Sequence, residues 1–291
     1  SFPTRRSSDL DLTLGDWYRS AALRLTSSFS EPISSVHALI CRRLNISKAE
    51  IFSHPERVLT KTELEYLDNA LNRLFEGEPL AYITNRQSFY GKNFYVNDSV
   101  LIPRPETEVL VNEAIKWLRT KKDSLRGLDV GTGSACIPIS LCCQHDEIIF
   151  DAVDISLNAL EIAKKNIRFY HLKNRINLYQ ANLATCFKQK YNLITANLPY
   201  IPTERMENIP VSGYEPILAL DGGLNGEMLI RKFLINSKSM VFQPGLILCE
   251  IDYTQDNSLR SLARDLYPNA NVSIIDDLAR LPRILRIQTH V

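Results

Sequence analysis

From about Leu14 to Phe75 the apolar positions recur at helical spacing, with none of the strict alternation that marks a half-buried strand. In "TKTELEYLDNALNRLF" Leu64, Leu67, Leu71, Leu74 and Phe75 fall on one face of a helix. That helix opens on a capping box, Thr60-x-x-Glu63, and a second box, Ser47-x-x-Glu50, opens a short helix after "VHALICRRL". The pattern predicts a small all-helical unit over residues 11–76 that packs on itself and recognises a partner. No residue in it advertises chemistry.

Gly77 and Pro79 in "GEPLAYITN" then break the helical period, and "SFYGKNFYV" reads as a hairpin turning at Gly91 and Lys92. Residues 77–103 are therefore expected to be a linker with a β-hairpin. From 104 to 291 short apolar runs alternate with amphipathic ones. "GLDV", "IIFDAV", "INLY", "YNLITA" and "GLILCEI" read as strands, and Ser134–Gln144, Ser156–Tyr170 and Gly226–Ser237 as helices. Such alternation predicts an α/β fold, Rossmann-like, with a mostly parallel sheet covered on both faces. The last two strands, "NVSIID" and "RILRIQ", have no helix between them and should close the sheet as an antiparallel hairpin.

Composition narrows the function classes. A length of 291 residues suits one large domain or two unequal ones. The balance of 34 Lys+Arg against 33 Asp+Glu leaves a formal charge of +1, not the basic footprint of a protein that lives on phosphate backbones. Cys41, Cys136, Cys142, Cys143, Cys186 and Cys249 form no C-x-x-C pair and have no histidine at zinc-finger spacing. Reduced thiols in a cytoplasmic protein are expected, with no metal. No apolar run approaches the roughly 18 residues needed to span a bilayer. Residues 1–10, "SFPTRRSSDL", lack an initiating Met and any period, and read as a non-native or disordered leader.

Three segments carry candidate chemistry, each at the carboxyl end of an expected strand, where open α/β sheets bind ligands. In "LDVGTGSAC" Gly131 and Gly133 let backbone approach a ligand where a Cβ would obstruct. The pattern G-x-G-x-x-G is not completed, because Cys136 stands in its last position, so a dinucleotide pyrophosphate is disfavoured. Asp154 ends the next strand, placed either to accept from both ribose hydroxyls or to cap the helix near Ser156. After "YNLITA" comes "NLPYIP". Asn197 offers an amide, Pro199 restrains the direction of the Leu198 carbonyl, and Tyr200 presents a flat face. Two acceptors beside an aromatic wall suit a planar NH2 group, whose nitrogen they leave aimed at an electrophile.

With these residues in order, the chain resembles a class I S-adenosyl-L-methionine (AdoMet) methyltransferase of the amino-methylating kind. More narrowly it is similar to the release-factor glutamine methyltransferases, the PrmC/HemK family, from about residue 12 to the end. The segments that carry the resemblance are "GEPLAYIT", "LIPRPETE", "LDVGTGSA", "AVDIS", "ANLPYI", "YEPILALDGG" and "DLARLPRILRI". The resemblance implies methyl transfer to the glutamine of the Gly-Gly-Gln loop of bacterial-type peptide-chain release factors. It also implies that Gly131, Thr132, Gly133, Ser134 and Ala135 line the methionine part of AdoMet, Asp154 its ribose and Leu183 its adenine. Asn197 would touch cofactor and substrate, with Leu198, Pro199 and Tyr200 completing the glutamine site. The chain departs from the family at Leu198, usually Pro, at Ala135, usually Gly, and at Asn182, where an acid is common. Arg104 and Glu106 either order the cofactor pocket or pair on the surface. The Asn-Leu-Pro-Tyr string also resembles the motif of ribosomal-RNA adenine dimethyltransferases, but there the helical domain follows the catalytic one. A DNA adenine methyltransferase would want a basic cleft. A docking protein that has lost its activity would not need Asn197, Pro199, Tyr200 and Asp154.

Overall fold

The computed structural model describes residues 12–26, 31–121, 124–208 and 213–290; the leader expected at residues 1–10 lies outside them. The chain divides between Thr84 and Asn85 into two compact units. The first holds helices α1 (Leu14–Leu25), α2 (Pro32–Leu44), α3 (Lys48–Ser53), α4 (Lys61–Phe75) and α5 (Leu80–Thr84). Leu14, Trp17, Val36, Ile40, Leu67 and Leu71 form its core. Trp17 Nε1 donates to Asp68 at 2.8 Å and ties α1 to α4. Both capping boxes form, with Thr60 and Ser47 each exchanging bonds with the glutamate three residues on. On the predicted α4 face Leu67, Leu71 and Leu74 are buried, whereas Phe75 stays exposed with the Arg24 guanidinium 5.1 Å above its ring.

The second unit begins with a hairpin, β1 (Gln87–Phe89) and β2 (Lys92–Phe94). Its turn sits at Tyr90 and Gly91, one residue earlier than expected, because both positions take positive φ (49° and 68°), as the tight two-residue hairpin turn requires. Glu108 accepts from the Tyr90 N–H at 2.7 Å and holds that left-handed tyrosine. Segment 77–103, expected as a linker, is shared out. Its first part forms α5 of the helical unit, and Phe89 and Phe94 of the hairpin enter the core of the second unit, worth about 2–3 kcal/mol for each buried ring.

The rest is a seven-stranded sheet: α6 (Glu108–Leu118), β3 (Leu125–Val130), α7 (Cys136–Cys142), β4 (Ile148–Asp154), α8 (Leu157–Phe169), β5 (Ile176–Gln180), β6 (Tyr191–Ala196), α9 (Met228–Ser237), β7 (Val241–Glu250), α10 (Asp256–Leu266), β8 (Asn271–Asp276) and β9 (Pro282–Thr289). The strand order is β5-β4-β3-β6-β7-β9-β8, parallel through β7, with β9 antiparallel to both β7 and β8. The expected closing hairpin is present. Leu110, Ile139 and Ala163 pack α6, α7 and α8 on one face, and Ile230, Phe233, Leu259 and Ala263 pack α9 and α10 on the other. Among the described residues no helix is long and apolar enough to cross a membrane.

Strand order reverses between β3 and β6, and the register there levels four strand ends. Val130 lies opposite both Val153 and Ala196, and Ala196 lies opposite Cys249. The residues that follow, Gly131, Asp154, Asn197 and Glu250, therefore emerge as a row along one edge.

Candidate active site

A cavity of about 250 Å3 opens over that row. Gly131 to Ser134 line it from β3, Asp154 to Ser156 from β4, Ala181 to Leu183 from β5 and Asn197 to Pro199 from β6; Thr107 and the turn Pro216–Ala219 add walls. Of the residues expected in the site, Ala135 and Tyr200 do not line it.

The turn after β3 is built by alternating left-handed residues, Gly131 (φ 74°), Gly133 (52°) and Ala135 (61°). The Gly131 and Thr132 N–H groups both donate to the Val153 carbonyl, at 2.9 and 3.0 Å, and so hang the turn from β4. A Cβ at Gly131 would come within 3.0 Å of the Leu198 side chain and 3.3 Å of the Asn197 carbonyl, so glycine there lets the β6 exit approach. A Cβ at Gly133 would meet nothing within 4 Å. Ala135 is fully buried as the N-cap of α7, which is why that helix starts two residues later than its sequence pattern suggests. An alanine in that conformation costs about 1–2 kcal/mol.

Asp154 is not the helix cap; Ser156 is, accepting from the Ala159 N–H at 3.2 Å. The Asp154 carboxylate accepts instead from the Gly133 N–H (2.9 Å) and the Ser156 N–H (2.9 Å), one on each oxygen. A carboxylate has about four acceptor sites, so lone pairs remain for a ligand. Burial raises its pKa from the ordinary value, and the Ser156, Gly133 and Ile155 N–H groups act against that rise. Beneath the turn Asp129 is buried, with its carboxyl pushed up to about 6 by burial and opposed by the Thr195 and Thr132 hydroxyls. Thr195 donates to Asp129 Oδ1 at 2.6 Å, but Asp129 Oδ2 and Thr132 Oγ1 find no partner in ordinary hydrogen-bond geometry. Sequence reasoning passed over Asp129, although an acid inside the apolar run "GLDV" is visible there.

At the β6 exit the Asn197 amide donates from Nδ2 to Thr107 Oγ1 at 3.1 Å. Leu198 is buried, and Tyr200 turns its hydroxyl to the fully buried Glu250, donating to Oε1 at 3.0 Å. The neighbouring glycine segment explains why this exit holds its shape. A Cβ at Gly222 would fall 2.7 Å from the Pro199 carbonyl, and one at Gly226 2.1 Å from the Tyr200 carbonyl. Ile201 and Asp221 form a parallel bridge beside them. Arg104 pairs with Glu215, whose side chain is fully buried and whose Oε1 accepts from the Ile102 N–H at 3.0 Å. That pair joins the Leu101–Pro103 wall to the Pro216–Ala219 wall, whereas Glu106 is exposed.

Residues 16–84 match the family described as PrmC N-terminal domain, and residues 107–209 the family described as Methyltransferase small domain. A methyltransferase from Pyrococcus furiosus shares the fold, with a TM-score of 0.51 at 14% identity over 77% of this chain and 100% of that one. The release factor glutamine methyltransferase of Koribacter versatilis is 33% identical over 94% of this chain and 98% of its own length. That of Coxiella burnetii is 31% identical over 94% and 98%. The chain belongs to the release factor glutamine methyltransferase family.

Proposed function

We propose that the protein methylates the side-chain amide nitrogen (N5) of the glutamine in the Gly-Gly-Gln motif of peptide-chain release factors, with AdoMet as methyl donor. Family membership supports the reaction class, and one observation carries the substrate chemistry. Asn197 commits its Nδ2 to Thr107, which leaves Oδ1 as the atom able to receive a planar NH2 donor.

The residues fit an adenosyl donor. Asp154 keeps free lone pairs for ribose hydroxyls, Leu183 offers an apolar wall for adenine, and the open space at Gly133 with Thr132 and Ser134 suits the amino-acid part. Under the turn the Asp129 carboxyl and the Thr132 hydroxyl beside it pair poorly, and they keep hydrogen-bonding capacity that a ligand or its water can use. Bound there, AdoMet supplies an electrophilic methyl group on a sulfonium.

The chain's own part is orientation. An amide nitrogen shares its lone pair with its carbonyl and is a poor nucleophile, so holding it in place matters more than a strong base. Orientation of this kind is worth on the order of 7 kcal/mol in favourable cases. Asn197 Oδ1 and the Leu198 carbonyl accept the two amide hydrogens, and both contacts strengthen as positive charge develops on nitrogen. Pro199 and the glycine segment behind it keep the Leu198 carbonyl aimed. Tyr200 serves by anchoring the exit to Glu250. The proton leaves after methylation, and no general base is assigned. The helical unit, with a core of its own, is assigned to recognising the substrate protein.

The test is mass spectrometry of a purified, unmethylated release factor after incubation with the full chain and AdoMet. A gain of one methyl, mapped to the Gly-Gly-Gln glutamine, is expected. No gain with AdoMet bound would overturn the reading and turn the search to amino groups of ribosomal RNA or DNA.

A further inference from the structure

The orientation of the Asn197 amide needs a cause. Thr107 Oγ1 accepts from Asn197 Nδ2 at 3.1 Å, and a hydroxyl has a single proton to give elsewhere. The acceptor facing it is the Glu250 carboxyl, at the end of β7 and fully buried. Glu250 Oε1 takes the Tyr200 proton at 3.0 Å, while Oε2 has no partner in ordinary hydrogen-bond geometry. Glu250 forms no ion pair among the described residues; the nearby Arg283 is held by Asp277 at 3.1 Å. Burial raises the Glu250 carboxyl above its ordinary range, and the Thr107 and Tyr200 hydroxyls act against the rise. A buried acid without an ion pair, one hydroxyl away from the substrate-facing amide, is costly unless it has a task.

We propose that Glu250 is a positioning residue that fixes the polarity of a relay ending at Asn197. As an acceptor it draws the Thr107 proton, Thr107 in turn accepts from Asn197 Nδ2, and Asn197 Oδ1 is thereby held as the acceptor for the substrate amide. The relay rests on the reading of Asn197 as the glutamine-orienting residue. Glutamine at position 250 keeps the shape but can present NH2 to Thr107. Thr107 then donates to Asn197 Oδ1, the amide turns over, and its NH2 confronts the NH2 of the substrate.

The experiment measures methyl transfer by the full chain to an unmethylated release factor, with AdoMet affinity and thermal midpoint, for wild type, Glu250→Gln, Thr107→Val and Thr107→Ser. Glu250→Gln and Thr107→Val are expected to lower kcat by about 100-fold with AdoMet affinity kept. Thr107→Ser, which restores the hydroxyl, is expected to return most of the rate. A Glu250→Gln kcat within about twofold of wild type, or a loss confined to KM or to the thermal midpoint, overturns the relay. If wild type itself leaves the release factor unmethylated, the functional reading fails. The relay is then read from the Asn197 side-chain amide NMR signals of the full chain. They move in both Glu250→Gln and Thr107→Val if it holds, and stay fixed in Glu250→Gln if it does not.

Discussion

Asp151 and Asp129 are buried on neighbouring strands, β4 and β3, on opposite faces of one sheet, and they are treated differently. Asp151 accepts from Asn177 (3.0 Å) on one oxygen and from Gln189 and Tyr191 (3.0 Å) on the other, knitting β4 to β5 and β6. Asp129 accepts from Thr195 on one oxygen, and beside the other it has only the Thr132 hydroxyl, outside ordinary hydrogen-bond geometry. The saturated acid lies away from the cavity and holds strands together. The unsaturated one lies under the glycine turn at the carboxyl end of the sheet, as Glu250 lies behind Asn197. Of the buried carboxylates on these strands, the two with an oxygen short of a partner, Asp129 and Glu250, lie at the end of the sheet that carries the proposed site.

Breaking the saturated acid should cost stability and spare the site. Asp151→Ala takes the acceptor from the buried Tyr191 hydroxyl and releases the exposed Asn177 and Gln189 amides, and is expected to lower the unfolding free energy by about 2 kcal/mol in urea titrations, with AdoMet affinity unchanged. Asn197→Ala should do the reverse: turnover falls roughly 100-fold in methyl-transfer assays while the urea midpoint stays put. Asp129→Asn sharpens the contrast through pH. Its folded value, about 6, lies above the ordinary 3.8, so the cost of its charge is absent below 3.8, grows as pH rises between the two values, and is complete above about 6. The variant should therefore gain about 3 kcal/mol over wild type at neutral pH and nothing at low pH, while binding AdoMet more weakly. The smallest effect belongs to Ala135→Gly. Since Ala135 lies outside the cavity lining, AdoMet affinity by calorimetry should change by less than about twofold.

The same division governs what the sequence made legible. Gly131, Asp154 and Asn197 each follow a short apolar run, and runs of similar length that end together bring them into one row, so local pattern suffices. Thr107 joins that row through a contact spanning 90 residues, to Asn197, and no local period announces it; Glu250 ends the apolar run "GLILC" as the others end theirs, but its bond to Tyr200, 50 residues away, shows only in the fold. Gly226 reads as the start of a helix, which begins at Met228 instead, and Gly222 shows no role of its own until Pro199 and Tyr200 are seen pressed against the two glycines. Tyr200, expected as a stacking wall, looks from sequence like a free aromatic face, because only the fold shows its hydroxyl anchored on β7. The start of α7 is misjudged for a similar reason. Ala135 has high helix propensity, yet the turn needs a third left-handed residue there.

The measurement that bears most directly on the cavity as the donor site is calorimetric titration of AdoMet into the full chain and its Asp154→Ala variant. One site per chain is predicted, with affinity at least about tenfold weaker in the variant, the worth of hydrogen bonds to a charged group. Absence of binding to wild type, or equal affinity in the two proteins, would contradict it.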